Sequence, residues 1–235
     1  MRDRVAIVTG AGRGIGRAVA LALASDGYRV ALVARSAGEL DGVAREISAE
    51  LDVARVRYFP GDVADAGLAP RIVREVIGAW GGIDVLFNNA GINPRGSLDL
   101  SVDAFAETLA VNVIGAFSFA KAVVPVFKEQ GSGYLFNVSS VCGKHGFAGT
   151  GGYTASKFAL SGLSECLYRE LLPLGVSVTA LCPNWVDTAM ASHSHVASGD
   201  RIQTDDIVKT VRYLLSLGHG ATVREIVVDC RFDPL

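Results

Sequence analysis

Near the start of the chain, Val5-Ala-Ile-Val-Thr-Gly-Ala-Gly-Arg-Gly-Ile-Gly16 passes from a β-branched apolar run into a glycine cluster and on into the helix-period segment Gly14 to Asp26. Such a run predicts a buried strand, and glycines at its end permit a tight turn and the close approach of another group to the backbone. A helix that begins inside the cluster turns free N–H groups and the positive end of its dipole toward that approach, an arrangement that suits a pyrophosphate. Because position 15 is Ile15, the spacing is G-x-x-x-G-x-G across Gly10, Gly14 and Gly16 rather than the more usual G-x-G-x-x-G.

The same alternation continues outward from this stretch. Short apolar runs at Val30 to Ala34, Val56 to Phe59, Val85 to Asn88, Leu135 to Val138, Val176 to Leu181 and Ile226 to Asp229 join Val5 to Val8 as seven predicted strands. Between them lie helix-period segments at Ala37 to Glu50, Ala69 to Ala79, Asp103 to Glu129, Tyr153 to Leu172 and Asp205 to Leu217. Strands apolar on both faces, separated by crossover-length segments, predict an α/β fold: a doubly wound, parallel, seven-stranded sheet with helices on both faces. With 235 residues, half of them hydrophobic, the chain is expected to form one domain over residues 1–235. The polar, unpatterned stretch Asp187 to Thr204 is read as a mobile loop near the substrate.

The charge balance, 22 basic against 24 acidic residues for a net charge of −2, offers no basic footprint for nucleic acid. The first apolar run ends at Thr9-Gly10, too soon for a signal-peptide core or a membrane span, so a cytoplasmic protein off the membrane is expected. Cys142, Cys166, Cys182 and Cys230 are widely spaced, contain no C-x-x-C pair, and read as reduced thiols.

Ligands of open α/β sheets collect beyond the carboxyl ends of the strands. Strand two ends in Ala34-Arg35-Ser36, where a carboxylate would accept from a ribose 2′-OH and repel a 2′-phosphate; the first acid after it is Glu39. Arg35, joined by Arg13 from the glycine cluster, therefore points to NADP, whose extra phosphate suits planar, multidentate guanidinium donors.

Tyr153-Thr-Ala-Ser-Lys157 places a tyrosine and a lysine one helical turn apart on one face. An ammonium about 4 Å from the phenol, at an effective dielectric near 20, favours the phenolate by roughly 4 kcal/mol, less the desolvation that opposes it. From spacing alone, the pair is expected to exchange a proton near neutral pH. Two further strand ends, Asn88-Asn-Ala-Gly91 and Asn137-Val-Ser-Ser140, bring polar groups to the same side of the sheet.

In this order, Thr9 to Gly16, Asn88 to Gly91, Ser140 and Tyr153 to Lys157 resemble the short-chain dehydrogenase/reductase family, the likeness running from Val5 to about Thr188. The resemblance implies that Tyr153 is the general acid or base at a substrate oxygen, with Lys157 lowering its pKa and bonding the nicotinamide ribose. It implies that Ser140 polarises the same oxygen, with Ser139 as its rival, and that Asn112 keeps a helix kinked and binds a water in a proton relay. It further assigns Asp62 and Val63 to the adenine, Asn89, Ala90 and Gly91 to the adenosine ribose, and Pro183, Val186 and Thr188 to the nicotinamide end. The family usually has glycine after the proline of Pro183-Asn184, so a local change of backbone is expected there.

These readings lead to an NADP-dependent oxidoreductase acting on a small carbonyl compound or secondary alcohol. Two alternatives are a cofactor-binding sensor without chemistry and a dehydration or epimerisation on the same fold. Pro94 to Leu100, Cys142 to Gly152 and Asp187 to Thr204 surround the substrate, with His145 and Phe147 near its entrance. The ending Cys230 to Leu235 lacks the glycine-rich close common in ketoacyl carrier-protein reductases, which favours a broad carbonyl reductase. His193-Ser-His195 lacks the further ligands of a metal site, so no metal is expected. Apolar faces at Phe105 to Phe127 and Phe158 to Leu172 point to a homodimer or homotetramer.

Overall fold

The computed structural model describes residues 2–233; Met1, Pro234 and Leu235 lie outside the described residues, so the chain's ending is seen only as far as Asp233. Seven parallel strands stand in the order β3-β2-β1-β4-β5-β6-β7. They are β1 (Val5–Thr9), β2 (Arg29–Ala34), β3 (Val56–Pro60), β4 (Val85–Asn88), β5 (Gly133–Val138), β6 (Val176–Pro183) and β7 (Glu225–Val228). Strand side chains alternate between the two faces. Along β1, Ala6 and Val8 enter one core, beneath α1 (Gly14–Ser25), α2 (Ala37–Glu50) and α7 (Thr204–Ser216). Val5 and Ile7 enter the other, beneath α3 (Leu68–Trp80), α5 (Ala116–Gln130) and the end of α6 (Gly151–Leu171). Both faces of the central strands are thus covered, which is why their sequences read as continuous apolar runs. Strand order reverses between β1 and β4, opening a crevice at Thr9 and Asn88.

Helix boundaries follow local chemistry. Ser36 caps α2 by accepting from the Glu39 N–H at 3.2 Å, and Gly81 and Gly131 end α3 and α5 in the left-handed conformation. The long helix expected over Asp103 to Glu129 is instead two helices, α4 (Val102–Leu109) and α5, joined by a π-helical turn at Ala110–Gly115. The run Val102–Gln130 is long and apolar enough to cross a membrane. It nevertheless buries Phe119, Ala120, Val123 and Phe127 in the core beside the sheet.

The segment Asp187 to Thr204 is not the plain polar loop its composition suggests. Val186 pairs with Ile202, two short 3-10 turns occupy Ala189–Ala191 and Ser198–Asp200, and Ala191, Val196 and Ile202 are buried. The Asp187 carboxylate accepts from Ser198 Oγ at 2.6 Å and from Arg201 at 3.1 Å, cross-linking the segment internally.

Candidate active site

A cleft of about 1500 Å³ follows the carboxyl ends of the strands from the glycine cluster to the loop after β6. At one end, Gly10 and Gly14 adopt positive φ of 64° and 54°, the region that other residues avoid. A side chain on Gly16 would place its Cβ 2.2 Å from the Gly10 carbonyl oxygen, so this glycine backs the loop and lets α1 pack onto it instead of lining the cleft. The N-cap of α1, Arg13, makes no side-chain capping bond, and the first turn carries no acidic residue. The first N–H groups of α1 therefore lack side-chain acceptors, and the positive end of its dipole meets no opposing carboxylate in that turn. This cradle fits a pyrophosphate.

The loop is braced from β4. Thr9 Oγ1 accepts from the Asn89 and Ala90 N–H groups at 2.9 and 3.1 Å, and Asn89 Nδ2 donates to the carbonyls of Thr9 and Gly10 at 3.1 and 3.3 Å. Asn89, Ala90 and Gly91 all line the cleft, but the Asn89 side chain is occupied in holding the glycine loop. The bracing hydroxyl of Thr9 was not legible in the sequence, where the residue reads simply as the end of a strand.

Arg13 and Arg35 line the neighbouring wall with Ser36, Asp62 and Val63. Both guanidiniums are exposed, and neither forms an ion pair among the described residues, which leaves their forks for a phosphate. Glu39 shares this wall, its carboxylate lying across Gly12, so a negative group stands closer to the phosphate position than the sequence indicated. Thr188, on the opposite lip, faces Gly14.

At the other end, Tyr153 and Lys157 are both buried on the first turns of α6, as their spacing requires. The Ser140 hydroxyl neighbours the Tyr153 phenol closely enough to favour its charged form, while accepting from the Cys142 N–H at 3.1 Å. Both Ser139 and Ser140 line the cleft, but the Ser139 hydroxyl meets the Lys157 carbonyl at 3.1 Å and Ser161 Oγ at 2.8 Å, so it is turned to α6, and Ser140 is the serine whose hydroxyl neighbours the tyrosine. Lys157 Nζ donates to the Val138 carbonyl at 2.7 Å and lies 5.4 Å from the centre of the Tyr153 ring.

Burial corrects the expectation of a depressed tyrosine pKa. It raises the phenol above its ordinary value, the neighbouring Cys142 thiol adds to the rise, and the nearby Ser140 hydroxyl only partly opposes it. Burial also draws Lys157 down to about 8.

Asn112 does not line the cleft. Both ends of its buried amide are engaged: Oδ1 accepts from the Ile92 N–H at 2.8 Å, while Nδ2 donates to the Ile92 carbonyl and to Ser156 Oγ, each at 2.9 Å. It therefore ties the π-helical turn to the segment after β4 and to α6.

Pro183, Val186 and Thr188 line the cleft beyond Ser140, with the Ser140 hydroxyl 3.4 Å from the Pro183 carbonyl. Among the described residues no non-glycine has a positive φ, so Asn184 sits there without the left-handed backbone that would require glycine. His145, Phe147, Trp185, Met190, His193 and His195 complete this end. Among the described residues no group of His, Cys, Asp and Glu is arranged to hold a metal ion, and all four cysteines are free.

A family model described as short chain dehydrogenase matches residues 4–197. The chain is 32% identical over 229 residues to an uncharacterised oxidoreductase of Staphylococcus aureus (strain USA300), covering 97% of each. Among solved structures it is similar to a β-ketoacyl-[ACP] reductase from Bacteroides thetaiotaomicron, at 39% identity and TM-score 0.87, covering 99% of this chain and 98% of that one. It is also similar to an alcohol dehydrogenase from the archaeon Thermococcus sibiricus complexed with 5-hydroxy-NADP, at 32% identity and TM-score 0.90, with the same coverage.

Proposed function

The chain belongs to the short-chain dehydrogenase family of oxidoreductases, and on that footing we propose that it is an NADP(H)-dependent carbonyl reductase or secondary-alcohol dehydrogenase with Tyr153 as acid and base. The observation that carries this reading is the neighbouring Ser140 and Tyr153 hydroxyls, backed by Lys157, in the same cleft as an uncapped helix N-terminus and two unpaired arginines.

Gly10, Gly14 and Ile15 receive the pyrophosphate, and Arg13 and Arg35 the 2′-phosphate. Asp62 and Val63 border the adenine; the backbone of Asn89, Ala90 and Gly91 follows the ribose, and Pro183, Val186 and Thr188 flank the nicotinamide. When bound, the reduced cofactor supplies the hydride that the chain itself lacks.

The hydroxyls of Ser140 and Tyr153 converge on one point, where they donate to a carbonyl oxygen. Negative charge grows on that oxygen as its carbon is reduced, so both hydrogen bonds strengthen toward the transition state. A phenol raised by burial stays protonated at neutral pH, the state required to deliver a proton to the forming alkoxide and release an alcohol. Lys157, drawn down to about 8, lies within one turn of the tyrosine and restores its proton near neutral pH.

The exposed apolar residues Ile114, Phe117 and Phe158, at 53%, 45% and 46% exposure, support pairing of α5 and α6 with a second copy in a homodimer or homotetramer. Four free thiols accord with a cytoplasmic setting. The test of function is a panel of ketones and aldehydes incubated with the protein and NADPH, counting both products. Loss of one NADPH per alcohol formed supports oxidoreduction; substrate conversion with NADPH intact indicates dehydration or epimerisation, and NADPH binding without conversion indicates a sensor.

A further inference from the structure

Asn184, where the family usually has glycine, heads a chain of hydrogen bonds that reaches the last described residues. Its Oδ1 accepts from the Trp185 N–H at 2.9 Å, and its Nδ2 donates to Asp229 Oδ1 at 2.7 Å and to the Asp233 carbonyl at 2.9 Å. One oxygen of the Asp233 carboxylate accepts from the Trp185 indole Nε1–H at 2.8 Å. The other lies 3.4 Å from His195 Nε2, and the His195 ring meets the indole edge-on with centroids 6.3 Å apart. A turn closed from the Asp233 N–H to the Cys230 carbonyl at 3.1 Å, and a contact from Cys230 Sγ to the Asp200 carbonyl at 3.4 Å, hold this tail against the loop.

Three stretches distant in sequence therefore meet at one carboxylate: the turn after β6, the loop from Asp187 to Thr204, and the end of the chain. Trp185, His195 and Asp233 all line the cleft, and the indole also packs against the buried core. Facing the same space are the half-exposed apolar side chains of Phe147 and Met190. An indole fixed by its N–H, in a cleft lined by further apolar groups, receives a flat apolar substituent better than a charged or very small one.

Resting on the carbonyl-reductase reading above, we propose that Asp233 is a positioning residue that holds Trp185 as one wall of the substrate pocket, and that this wall selects ketones bearing an aryl or bulky apolar group. The hydrogen bond to the indole carries the effect. The asparagine at position 184 supplies the second attachment, from the backbone side.

The chain has two tryptophans, so Trp80→Phe leaves Trp185 as the sole tryptophan, excited selectively at the red edge of its absorption where the tyrosines do not absorb. In that background Asp233→Ala is expected to raise acrylamide quenching of Trp185 about threefold, whereas Asp233→Asn, whose amide oxygen still accepts from the indole, stays within about 1.5-fold of the parent. With NADPH and paired substrates, Asp233→Ala raises KM for an aryl ketone about tenfold, changes kcat less than about threefold, and leaves KM for a small aldehyde near its starting value. Asp233→Asn restores the aryl-ketone KM.

Should Asp233→Ala fail to fold, Asn184→Gly removes the second attachment while keeping the carboxylate and its bond to the indole, and a smaller increase in quenching, about twofold, is expected. Equal quenching and an equal ratio of the two KM values in parent and variant overturn the proposal, as does an Asp233→Asn protein that behaves like Asp233→Ala. If the parent reduces no carbonyl, the oxidoreductase reading fails, and the quenching comparison alone still decides whether Asp233 positions the indole.

Discussion

The amide of Asn112 closes on the backbone of Ile92 from both sides, accepting from its N–H at 2.8 Å and donating to its carbonyl at 2.9 Å. Because the partner lies on another element, satisfying it pulls one extra residue into the helix and makes the π-helical turn at Ala110–Gly115. The same amide reaches Ser156 Oγ, one residue before Lys157. Asn112 thus registers the Tyr153 helix against the segment after β4.

Asn112→Ala would leave the Ile92 groups and Ser156 short of partners in a buried place. An expected loss of about 2–4 kcal/mol follows from unmade buried hydrogen bonds, read as a lowered denaturant midpoint at unchanged slope. A midpoint within error of the parent would show that the turn holds itself.

Tyr153→Phe deletes the proton donor and almost no surface. Turnover should fall by at least about a thousandfold, as loss of a positioned acid predicts, while NADPH affinity measured by fluorescence stays within about threefold. Substantial remaining turnover would assign the proton to another group.

Lys157 is buried and drawn from 10.5 to about 8, so its charge opposes folding at neutral pH by up to about 3 kcal/mol. Lys157→Met keeps the stem but leaves the Val138 carbonyl without this donor, returning about 1 kcal/mol. The variant should therefore be inactive yet unfold at higher temperature at pH 7. Between pH 8 and 10.5 the unfolded chain binds the proton that the folded chain has released, so the parent gains stability with rising pH and the gap closes. Tyr153, raised by burial, acts in the opposite sense only above pH 10. A gap independent of pH would contradict this account.

Arg35→Asp should reverse the sign of charge at the 2′-phosphate and move the NADPH to NADH ratio of kcat/KM by about a hundredfold toward NADH. Glu39→Gln, which removes the carboxylate lying across Gly12, should shift it a few-fold the other way. An unmoved ratio in both variants would locate phosphate recognition elsewhere.

The central strands were legible because burial on both faces imposes continuous apolar runs, and β1 to β7 begin and end within two residues of the sequence reading. Periodicity ran unbroken through Ala110-Val-Asn-Val-Ile-Gly115, and the kink at Asn112 was implied only by the family resemblance; its physical reason, the bonds to the distant Ile92, was not legible. Spacing placed Tyr153 and Lys157 on one face but could not reveal that the ammonium turns to the Val138 carbonyl or that burial governs the phenol. The family spacing to the tyrosine already favoured Ser140 over Ser139, but only contact with Ser161 on α6 shows where the Ser139 hydroxyl is engaged instead. In the loop after β6, Ala191, Val196 and Ile202 are buried without any period that a strand or helix would impose.

The most direct test of the central claim is the initial rate of ketone-dependent cofactor oxidation, measured with NADPH and NADH at equal concentration. The account predicts that NADPH is consumed one for one with alcohol and that NADH is used at least about tenfold less efficiently. NADH used as well as NADPH would contradict the roles given to Arg13 and Arg35, and ketone conversion with both cofactors untouched would contradict the oxidoreductase itself.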